Sequence, residues 1–598
     1  MPAYERLSFL DNSFLALESR TTHMHVGAVT IIEAAPLRTP DGGIDVDAIR
    51  RYLAGRIHAI PRYRQVLARL PIERHPIWVD DQHFSIDYHV RHTSLPAPGS
   101  FAQLQLLAGR VFSQQLDRAK PLWELWIVEG LENDRFAIIS KIHHCMIDGM
   151  GGVDLMALLM NFGPSDHIDE PRPWQPRPIP TGAELLVGET ARRARRMFSA
   201  VSDIRRLPDE AADLVGGVAQ RVLAAANALN SGWLTSASRT PITQPIGPNR
   251  RFGKVDMPLA QIKHIKNALG GTVNDVLLAI VAGALRKFFL DSRNFDLDDV
   301  DFRVMAPVSV RNEQSSSGNQ VAMWLLRLPL ADPDPVSRLR TVQEETEHLK
   351  VTNQALGAST LVSVSSGAPG TLVSMASRLA TRVRPFNMTV TNVPGPQIPL
   401  YMLDAKLEAT YPLVPLWNNH GLGVAIFSYA GSLQWGLNAD WDLMPDLHEF
   451  EAALVAAAAE LTAAAEAKAA EKAPAAKKPA AARKPVARKP AAKKPAAKKP
   501  AAKTTAAKKP AAKKPAAKTT SAKKPVVASK PAAKKPAAKK PAAKETAAAA
   551  KASTAKSTGS AKKLARTPAP KKAVSANAAT KPVASKRKPA AKQPAKDS

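Results

Sequence analysis

Residues 136–149 read FAIISKIHHCMIDG and combine an apolar run with a pair of histidines and a turn. Phe136–His144 is apolar and rich in β-branched residues, so it predicts a buried strand. Asp148–Gly152 follows as a glycine-bearing turn, and the apolar run Val153–Asn161 predicts a helix. Strand-like and helix-like segments that alternate in this way are typical of an α/β or α+β fold.

The same alternation extends in both directions from this stretch. Strands are predicted at Met24–Glu33, Arg251–Met257, Phe302–Val308, Phe386–Thr391 and Gly423–Tyr429. Helices are predicted at Val46–Ala59, Thr272–Phe289 and Pro445–Lys468. The proline-rich residues Pro171–Pro180 mark a boundary. We therefore predict an N-terminal lobe over residues 1–180, a helical crossover over 181–248 and a C-terminal lobe over 249–466.

The predicted crossover contains a basic amphipathic stretch between Glu184 and Asn230. Apolar residues recur there at helical spacing and arginines flank them, for example Arg192 and Arg193. A helix of this kind can lie on anionic lipid. It can equally pack across two domains, which is the interpretation we prefer, although periodicity alone does not separate the two.

The charge of the chain is concentrated at one end. The net charge of +31 comes from 83 Lys and Arg against 52 Asp and Glu. Residues 467–598 hold 39 of the basic residues and only three of the acids, which leaves 44 basic and 49 acidic residues in the body. The body is therefore mildly acidic, and nucleic-acid binding does not follow from the overall charge. The repeated Lys-Lys-Pro-Ala-Ala of the tail blocks a continuous helix and offers little to bury, so residues 467–598 are predicted to be disordered.

Several classes of protein are disfavoured by what the sequence lacks. Cys145 is the only cysteine, so no intramolecular disulfide can form, which fits a reducing compartment. Glu5, Arg6 and Asp11 interrupt the first residues, unlike a secretory signal. No run reaches the roughly 20 apolar residues of a membrane-spanning helix. We expect a cytoplasmic protein that is soluble or lies on a surface.

The sequence His143-His144-Cys145-Met146-Ile147-Asp148-Gly149 gives the motif HHxxxDG. An imidazole of near-neutral pKa can take the proton of an alcohol as its oxygen attacks a thioester carbonyl. Neighbouring side chains of an extended segment point to opposite faces, so one histidine of the pair should reach a given cavity. Asp148 suits a structural role, through an arginine or a turn cap, and Gly149 permits a tight turn.

Two other chemistries for this motif are less favoured. Cys145 could act as a nucleophile beside a histidine, but its apolar neighbours Met146 and Ile147 are typical of a buried, inert thiol. A metal bound by His143, His144 and Asp148 is disfavoured because adjacent histidines converge poorly on one ion and no further ligand cluster is present. We therefore predict no metal site.

The body resembles the bacterial wax ester synthase/diacylglycerol acyltransferase family, within the CoA-dependent acyltransferase superfamily of chloramphenicol acetyltransferases and condensation domains. The matching residues, besides HHxxxDG, are Leu7-Ser8, Asp11, Glu18, Met24-His25-Val26-Gly27, Pro121-Leu122-Trp123-Glu124, Gly130-Leu131, Asn274-Asp275, Pro307-Val308-Ser309-Val310-Arg311, Gly318-Asn319, Thr391-Asn392-Val393-Pro394-Gly395-Pro396, Tyr411-Pro412, Ser428-Tyr429 and Pro445-Asp446. The resemblance covers about residues 4–465. Thr391 is a small departure, since the family often has serine there.

The resemblance implies a two-lobed α/β (α+β) fold with the motif in a tunnel between the lobes. It implies acyl transfer from acyl-CoA to diacylglycerol or a long-chain alcohol, with acyl-CoA as a co-substrate and no bound cofactor. His144 is implied as the general base, Asp148 as its structural partner, and Asn274 with Asp275 as supporting polar residues. His143 is expected to have a structural or hydrogen-bonding role rather than a direct one.

Some roles stay open at this stage. The donor to the developing oxyanion could be backbone N–H groups around Gly149–Gly152 or the Asn274 amide, and Asn274 could instead cap its helix. Pro121-Leu122-Trp123 is interpreted as structural, the start of an apolar strand with an aromatic ring that packs. Trp417, Trp435 and Trp441 could line an acyl tunnel or simply pack in the core. No CoA-phosphate motif is recognisable.

The tail allows two interpretations. Its lysines could dock the protein on a polyanion, either DNA or the anionic surface of a membrane or lipid droplet, or they could form a passive solubilising extension. We favour docking, and place the enzyme at the inner membrane face or a lipid droplet. The alternative is a protein that is not an enzyme: a catalytically degenerate lipid-droplet scaffold tethered to DNA or membrane. The intact HHxxxDG motif argues against this alternative. Acyl chain length, acceptor preference and oligomeric state are not predictable from these residues.

Overall fold

The computed structural model describes residues 4–147, 159–205, 235–309, 321–351 and 384–472. The chain divides into two compact units, Met1–Lys484 and Pro485–Ser598, and the described residues all belong to the first. Asp148, Gly149, most of the predicted helix Val153–Asn161 and the tail beyond Lys472 lie outside the described residues.

The described segments form strands and helices in the predicted alternation. The strands are β1 (Glu5–Arg6), β2 (His25–Glu33), β3 (Gln65–Arg69), β4 (Pro76–Asp80), β5 (Val90–Ser94), β6 (Trp123–Leu131), β7 (Arg135–His143), β8 (Arg250–Pro258), β9 (Phe302–Ser309), β10 (Val321–Leu328), β11 (Met388–Pro394), β12 (Tyr401–Met402), β13 (Ala405–Leu413), β14 (Leu422–Tyr429) and β15 (Ser432–Asp440). The helices are α1 (Phe9–Leu17), α2 (Val46–Arg56), α3 (Ile86–His89), α4 (Phe101–Ser113), α5 (Gly182–Arg205), α6 (Leu259–Leu269), α7 (Val273–Lys287), α8 (Pro335–Val351) and α9 (Leu447–Lys472).

A six-stranded sheet with the order β12-β13-β2-β7-β6-β5 forms the centre of the N-terminal lobe. Alternate residues of β7 face opposite sides of this sheet, as the period of a strand requires. Ile138 and Ile142 pack with Ile49 of α2 on one side, whereas Ile139 packs with Leu104 of α4 on the other. The sheet is therefore covered on both faces, which explains why β7 reads as a continuous apolar run.

A second six-stranded sheet, with the order β10-β9-β11-β14-β15-β8, forms the C-terminal lobe together with α6–α9. Helix α7 is the centre of its core because no polar residue occurs from Val276 to Leu285, and this whole stretch is buried. A helix that is apolar all round needs cover on every side. It starts at a capping box in which the Thr272 hydroxyl accepts from Asp275 N–H and the Asp275 carboxylate accepts from Thr272 N–H.

The two lobes are not contiguous in sequence. Strands β12 and β13, which lie within the predicted C-terminal lobe of residues 249–466, complete the sheet of the N-terminal lobe. Strand β13 pairs antiparallel with β2, and the hydroxyls of Thr30 and Thr410 hydrogen-bond across the pair at 2.7 Å. The pairing extends the sheet and gives the edge of β2 a partner. This is a correction to a division of the chain into consecutive lobes.

The proline-rich segment Pro171–Pro180 packs on the N-terminal lobe instead of forming a free linker. Arg177 donates to the Asp80 carboxylate from its backbone N–H at 3.0 Å and from Nη2 at 2.7 Å. Helix α5 follows, and its buried Leu185 packs with Ile77 of β4 in the small sheet β1-β4-β3 and with Leu70, which directly follows β3. The predicted crossover beyond Arg205 lies outside the described residues until residue 235.

In the described ranges no single helix is both long and apolar enough to cross a membrane. The helices Leu259–Leu269 and Val273–Ser292 together have the length and composition, but they meet at 99°.

Candidate active site

A large cavity lies between the two sheets, with a volume of about 1410 Å³. Its wall includes Val26, Trp123, Ile138 and Ile142 from the N-terminal lobe, and Met305, Val393, Trp417 and Phe427 from the later strands and the β13–β14 connection. The described lining is mostly apolar, and the volume exceeds the roughly 300–1,000 Å³ of ordinary small-molecule sites. The predicted passage between two lobes is therefore present.

His144 lies on the wall of this cavity, and His143 does not. Strand β7 ends at His143, and residues His144–Met146 form a single 3-10 turn. The backbone N–H of His144 donates to Met24 O at 2.7 Å, which ties the turn to the start of β2. The sequence prediction that one histidine of the pair reaches the cavity agrees with this arrangement.

The His144 ring is held in an apolar setting. Phe14 of α1 stacks against it with ring centroids 4.1 Å apart and the planes tilted by 33°. Burial lowers the pKa of His144 to about 4, and the neighbouring His143 acts in the same direction. No described residue forms a hydrogen bond with His144 Nδ1. At neutral pH the imidazole is therefore unprotonated and available to accept a proton.

His143 has a different environment on the other side of the turn. Its Nδ1 accepts a hydrogen bond from the Cys145 backbone N–H at 3.2 Å, which caps the turn. Its Nε2 lies 3.7 Å from Glu18 Oε2, and Glu18 Oε1 lies 3.4 Å from His25 Nε2. The register of β2 and β7 brings His25 and His143 together as cross-strand partners.

The comparisons with known proteins agree on one family. Residues 7–277 match the wax ester synthase/diacylglycerol acyltransferase catalytic domain, and residues 317–462 match the C-terminal domain of the same family. A protein from Mycobacterium tuberculosis, named "probable diacylglycerol O-acyltransferase", is 30% identical over 465 residues, which are 76% of this chain and 96% of the relative. The O-acyltransferase WSD of Acinetobacter baylyi is 30% identical over 449 residues, 73% of this chain and 92% of the relative.

The chain belongs to the wax ester synthase/diacylglycerol acyltransferase family. It is an acyltransferase. The fold agrees with a solved member from Marinobacter aquaeolei, with a TM-score of 0.55 and 24% identity over 77% of this chain and all of that one. The predicted family and two-lobed fold are thus confirmed, and the described ranges cover both matched domains in part.

Cys145 of the acyltransferase is a buried thiol. Its residue is 1% exposed, and burial raises the pKa of the thiol well above its usual value, with Asp11 and Glu18 adding to the effect. A protonated thiol enclosed in this way is a poor nucleophile. The interpretation of Cys145 as an inert packing residue agrees with the structure.

Asn274 and Asp275 of the acyltransferase lie in the first turn of α7, and neither is among the described residues that line the cavity. Thr272 is the N-cap, so Asn274 does not cap the helix as one alternative held. The Asp275 carboxylate, besides capping α7, accepts a hydrogen bond from Thr346 of α8 at 2.9 Å. Their predicted support of the active site stays a prediction.

The three tryptophans that could line an acyl tunnel lie in three different environments. Trp417 lies on the cavity wall, 6.4 Å from the Phe14 ring. Trp435 is fully buried in the core of the C-terminal lobe. Trp441 is partly exposed beneath the Arg251 guanidinium, 3.7 Å from its ring centroid. Trp123 also lines the cavity, and its Nε1–H donates to Tyr63 O at 2.8 Å.

Phe14, Glu18 and His25 are the residues of this site whose roles the sequence did not reveal. Glu18 and His25 belong to the family pattern, but a pattern gives no partner for either. One signal was available: an acidic residue directly after an apolar helix is unfavourable at the negative end of the helix dipole, so its presence suggests a specific partner. Among the described residues no group of three His, Cys, Asp or Glu side chains is arranged to hold a metal ion.

Proposed function

We propose that this acyltransferase moves an acyl group from acyl-CoA to the hydroxyl of diacylglycerol, and also of long-chain alcohols, with His144 as the general base. The observation that carries the proposal is an unprotonated imidazole on the wall of a large apolar cavity. The names of the relatives, a diacylglycerol O-acyltransferase among them, support the choice of acceptor.

The proposed reaction is a direct transfer with both substrates bound. His144 accepts the hydroxyl proton as the acceptor oxygen forms a bond to the thioester carbonyl carbon. The carbon–sulfur bond then breaks, and the imidazolium returns the proton to the CoA thiolate, so that an ester and free CoA are the products. A general base of this kind contributes about 10²- to 10⁴-fold to the rate.

Two further features of the cavity favour this chemistry. The mostly apolar wall disfavours water beside the thioester, so hydrolysis competes less with transfer to the alcohol. Phe14 packs against the His144 ring at the wall, and a ring held in one orientation has less entropy to lose in the transition state. Asp148, whose position is outside the described residues, keeps its proposed structural role beside His144.

The experiment is an acceptor panel. The purified chain is incubated with labelled acyl-CoA and, separately, with dispersed diacylglycerols and fatty alcohols of several lengths, and each is repeated with His144→Ala. Labelled triacylglycerol or wax ester should form with the unchanged chain and fall about 100-fold or more in the variant. Ester formation by neither protein, with any acceptor, would instead support a degenerate scaffold.

We also propose that residues 467–598 hold the enzyme on a polyanionic surface in the cytoplasm, at the inner membrane face or a lipid droplet. The support is their 39 basic against three acidic residues. Each lysine near an anionic bilayer contributes about 1 kcal/mol of binding. DNA is the other polyanion that such a segment binds, without sequence preference and with strong salt dependence.

A further inference from the structure

A buried carboxylate lies next to the turn that carries His144. Glu18 is the C-cap residue of α1, and its side chain is 5% exposed. Arg118 donates to its Oε2 from Nε at 3.1 Å, while the Nε2 atoms of His25 and His143 approach its two oxygens at 3.4 and 3.7 Å. We refer to Glu18, Arg118, His25 and His143 as the Glu18 cluster.

The carboxylate of this cluster is in an unfavourable place by itself. Burial penalises a charged group, and the C-terminal end of a helix carries partial negative charge. Burial alone acts to raise the pKa of Glu18, but the contacts with His143, His25 and Arg118 outweigh it and hold the pKa below its usual range. Glu18 is therefore ionised, and its three partners are what make that possible.

The cluster also fixes which nitrogen of His143 carries the proton. His143 Nδ1 accepts from the Cys145 N–H, so in the neutral ring the proton is on Nε2. His143 Nε2 faces Glu18 Oε2 at 3.7 Å, which is longer than a direct hydrogen bond, so the carboxylate acts on this proton by electrostatic attraction. A proton on Nδ1 instead would face the Cys145 N–H, donor against donor, and the turn would lose its cap.

We propose that Glu18 is a positioning residue for acyl transfer: its carboxylate, held by Arg118, keeps His143 in the tautomer whose Nδ1 closes the His144–Met146 turn and thereby aims His144 into the cavity. The inference deepens the proposed function and rests on it. Glu18, His25 and His143 are not among the described residues that line the cavity, so the carboxylate acts through His143 and not on a substrate.

A second buried carboxylate in the same lobe offers a matched control. Glu124 of β6 is also an ion-paired carboxylate, with a side chain 7% exposed, 3.1 Å from Arg91 and 3.5 Å from Lys141. It is not among the described residues that line the cavity, and its ion pairs are with Arg91 and Lys141 rather than with His143. Replacing Glu124 therefore disturbs a buried ion pair without reaching His144.

The experiment compares Glu18→Ala, Glu18→Gln and Glu124→Gln in the full chain, with kcat and the KM for acyl-CoA measured at saturating acceptor and with the melting temperature of each. Glu18→Ala should lower kcat by about 10- to 100-fold, as small displacements of a catalytic group do. Glu18→Gln removes the charge but keeps an oxygen that faces His143 Nε2, so its loss should be smaller, about 3- to 10-fold. KM should change by less than about two-fold in both.

His143→Asn tests the tautomer step directly. Asparagine Oδ1 can replace Nδ1 as the acceptor for Cys145 N–H and has no tautomer to choose. In the His143→Asn background, Glu18→Ala should therefore cost less kcat than in the unchanged chain, because the two sites are coupled. Equal losses in both backgrounds would contradict the proposal.

The remaining outcomes also decide the matter. A kcat for Glu18→Ala and Glu18→Gln within about two-fold of the unchanged chain, or a kcat loss in Glu124→Gln as large as theirs, overturns the proposal. If Glu18→Ala does not fold, the same coupling is measured with Glu18→Gln in the unchanged and His143→Asn backgrounds. His144→Ala is assayed in the same series: its full activity would overturn the proposed function, whereas its inactivity beside Glu18 variants of unchanged kcat would overturn this inference alone.

Discussion

The core of the C-terminal lobe and the end of β7 in the N-terminal lobe are both buried, but the first is formed by apolar side chains and the second includes ionisable ones. From Val276 to Leu285 the buried side chains of α7 are aliphatic, and the same core includes the aromatic rings of Phe288 and Phe450. Around the end of β7 the buried groups include His143, His25 and Glu18. Apolar burial stabilises a fold, whereas buried ionisable groups are retained where they position chemistry. From this comparison we propose that the first region serves stability and the second serves catalysis.

The first prediction concerns the stability of the C-terminal lobe, where the expected change is largest. Leu278 of α7 is 1% exposed and lies in the core of the C-terminal lobe. Leu278→Ala should lower the free energy of unfolding by about 2–5 kcal/mol, through lost apolar burial and the cavity left behind. The kcat per folded molecule should not change. Denaturant unfolding and an active-site-normalised assay measure the two, and a selective loss of kcat would contradict the assignment.

The next prediction concerns pH at the end of β7. Because the pKa of His144 is lowered to about 4, the base stays unprotonated as the pH falls from 7, and kcat/KM should decline only as the pH approaches 4. An ordinary histidine would lose activity near pH 6.5. Brief assays across this range, with each sample returned to pH 7 to check for loss of active enzyme, distinguish the two. An acid limb at about 6.5 would contradict the buried, unprotonated His144.

Stability should respond to pH over a wider window. His23, His25, His75, His89, His144 and His420 all have pKa values lowered by burial. Between their lowered values and about 6.5 the unfolded chain binds more protons than the folded one, so stability falls as the pH falls through this window. Urea midpoints that stay constant from pH 7 to 5 would contradict this prediction.

A smaller effect tests how the His144 ring is held. Phe14→Leu keeps most of the apolar volume but removes the ring that stacks on His144 at 4.1 Å. Aromatic pairs contribute about 0.5–1.5 kcal/mol, so kcat should fall by roughly 2- to 10-fold. Phe289→Leu, in a fully buried position of the C-terminal lobe, is the control that should lower stability alone.

The smallest effect on turnover is expected from the tail. Because α9 extends to Lys472, removal of residues 473–598 leaves the helix intact. The truncated chain should turn over dispersed substrate at close to the full rate. Its binding to anionic vesicles and to DNA should weaken, and the binding of the full chain should itself fall as salt is raised. Equal, salt-insensitive binding by both forms would contradict the docking proposal.

Local sequence patterns predicted those parts of the fold that local physics determines. The apolar runs predicted a strand at Phe136–His144 and a helix at Thr272–Phe289, close to the observed bounds Arg135–His143 and Val273–Lys287. The divergence of neighbouring strand residues also anticipated that His143 and His144 would point to different places. The resemblance to the family added the expectation that the motif lies between two lobes.

Long-range pairing was not predictable in the same way. Thr410 of β13 lies 380 residues from its partner Thr30 of β2, and nothing in the alternation of β13 specifies which edge it joins. The Glu18 cluster depends on the His25–His143 register and on the approach of α1, and each of these is set by tertiary packing. Asn274 is the opposite case, because its family motif suggested the site and the structure places it in the first turn of α7.

The rate of a single turnover tests the central claim most directly. Enzyme in excess over labelled acyl-CoA, with saturating acceptor, is compared between the unchanged chain, His144→Ala and His143→Asn, after folding and acyl-CoA binding have been checked for each. We expect His144→Ala to transfer the acyl group about 100-fold or more slowly, while His143→Asn retains a larger part of the rate. A His144→Ala enzyme that binds acyl-CoA and transfers it at the rate of the unchanged chain would contradict the account.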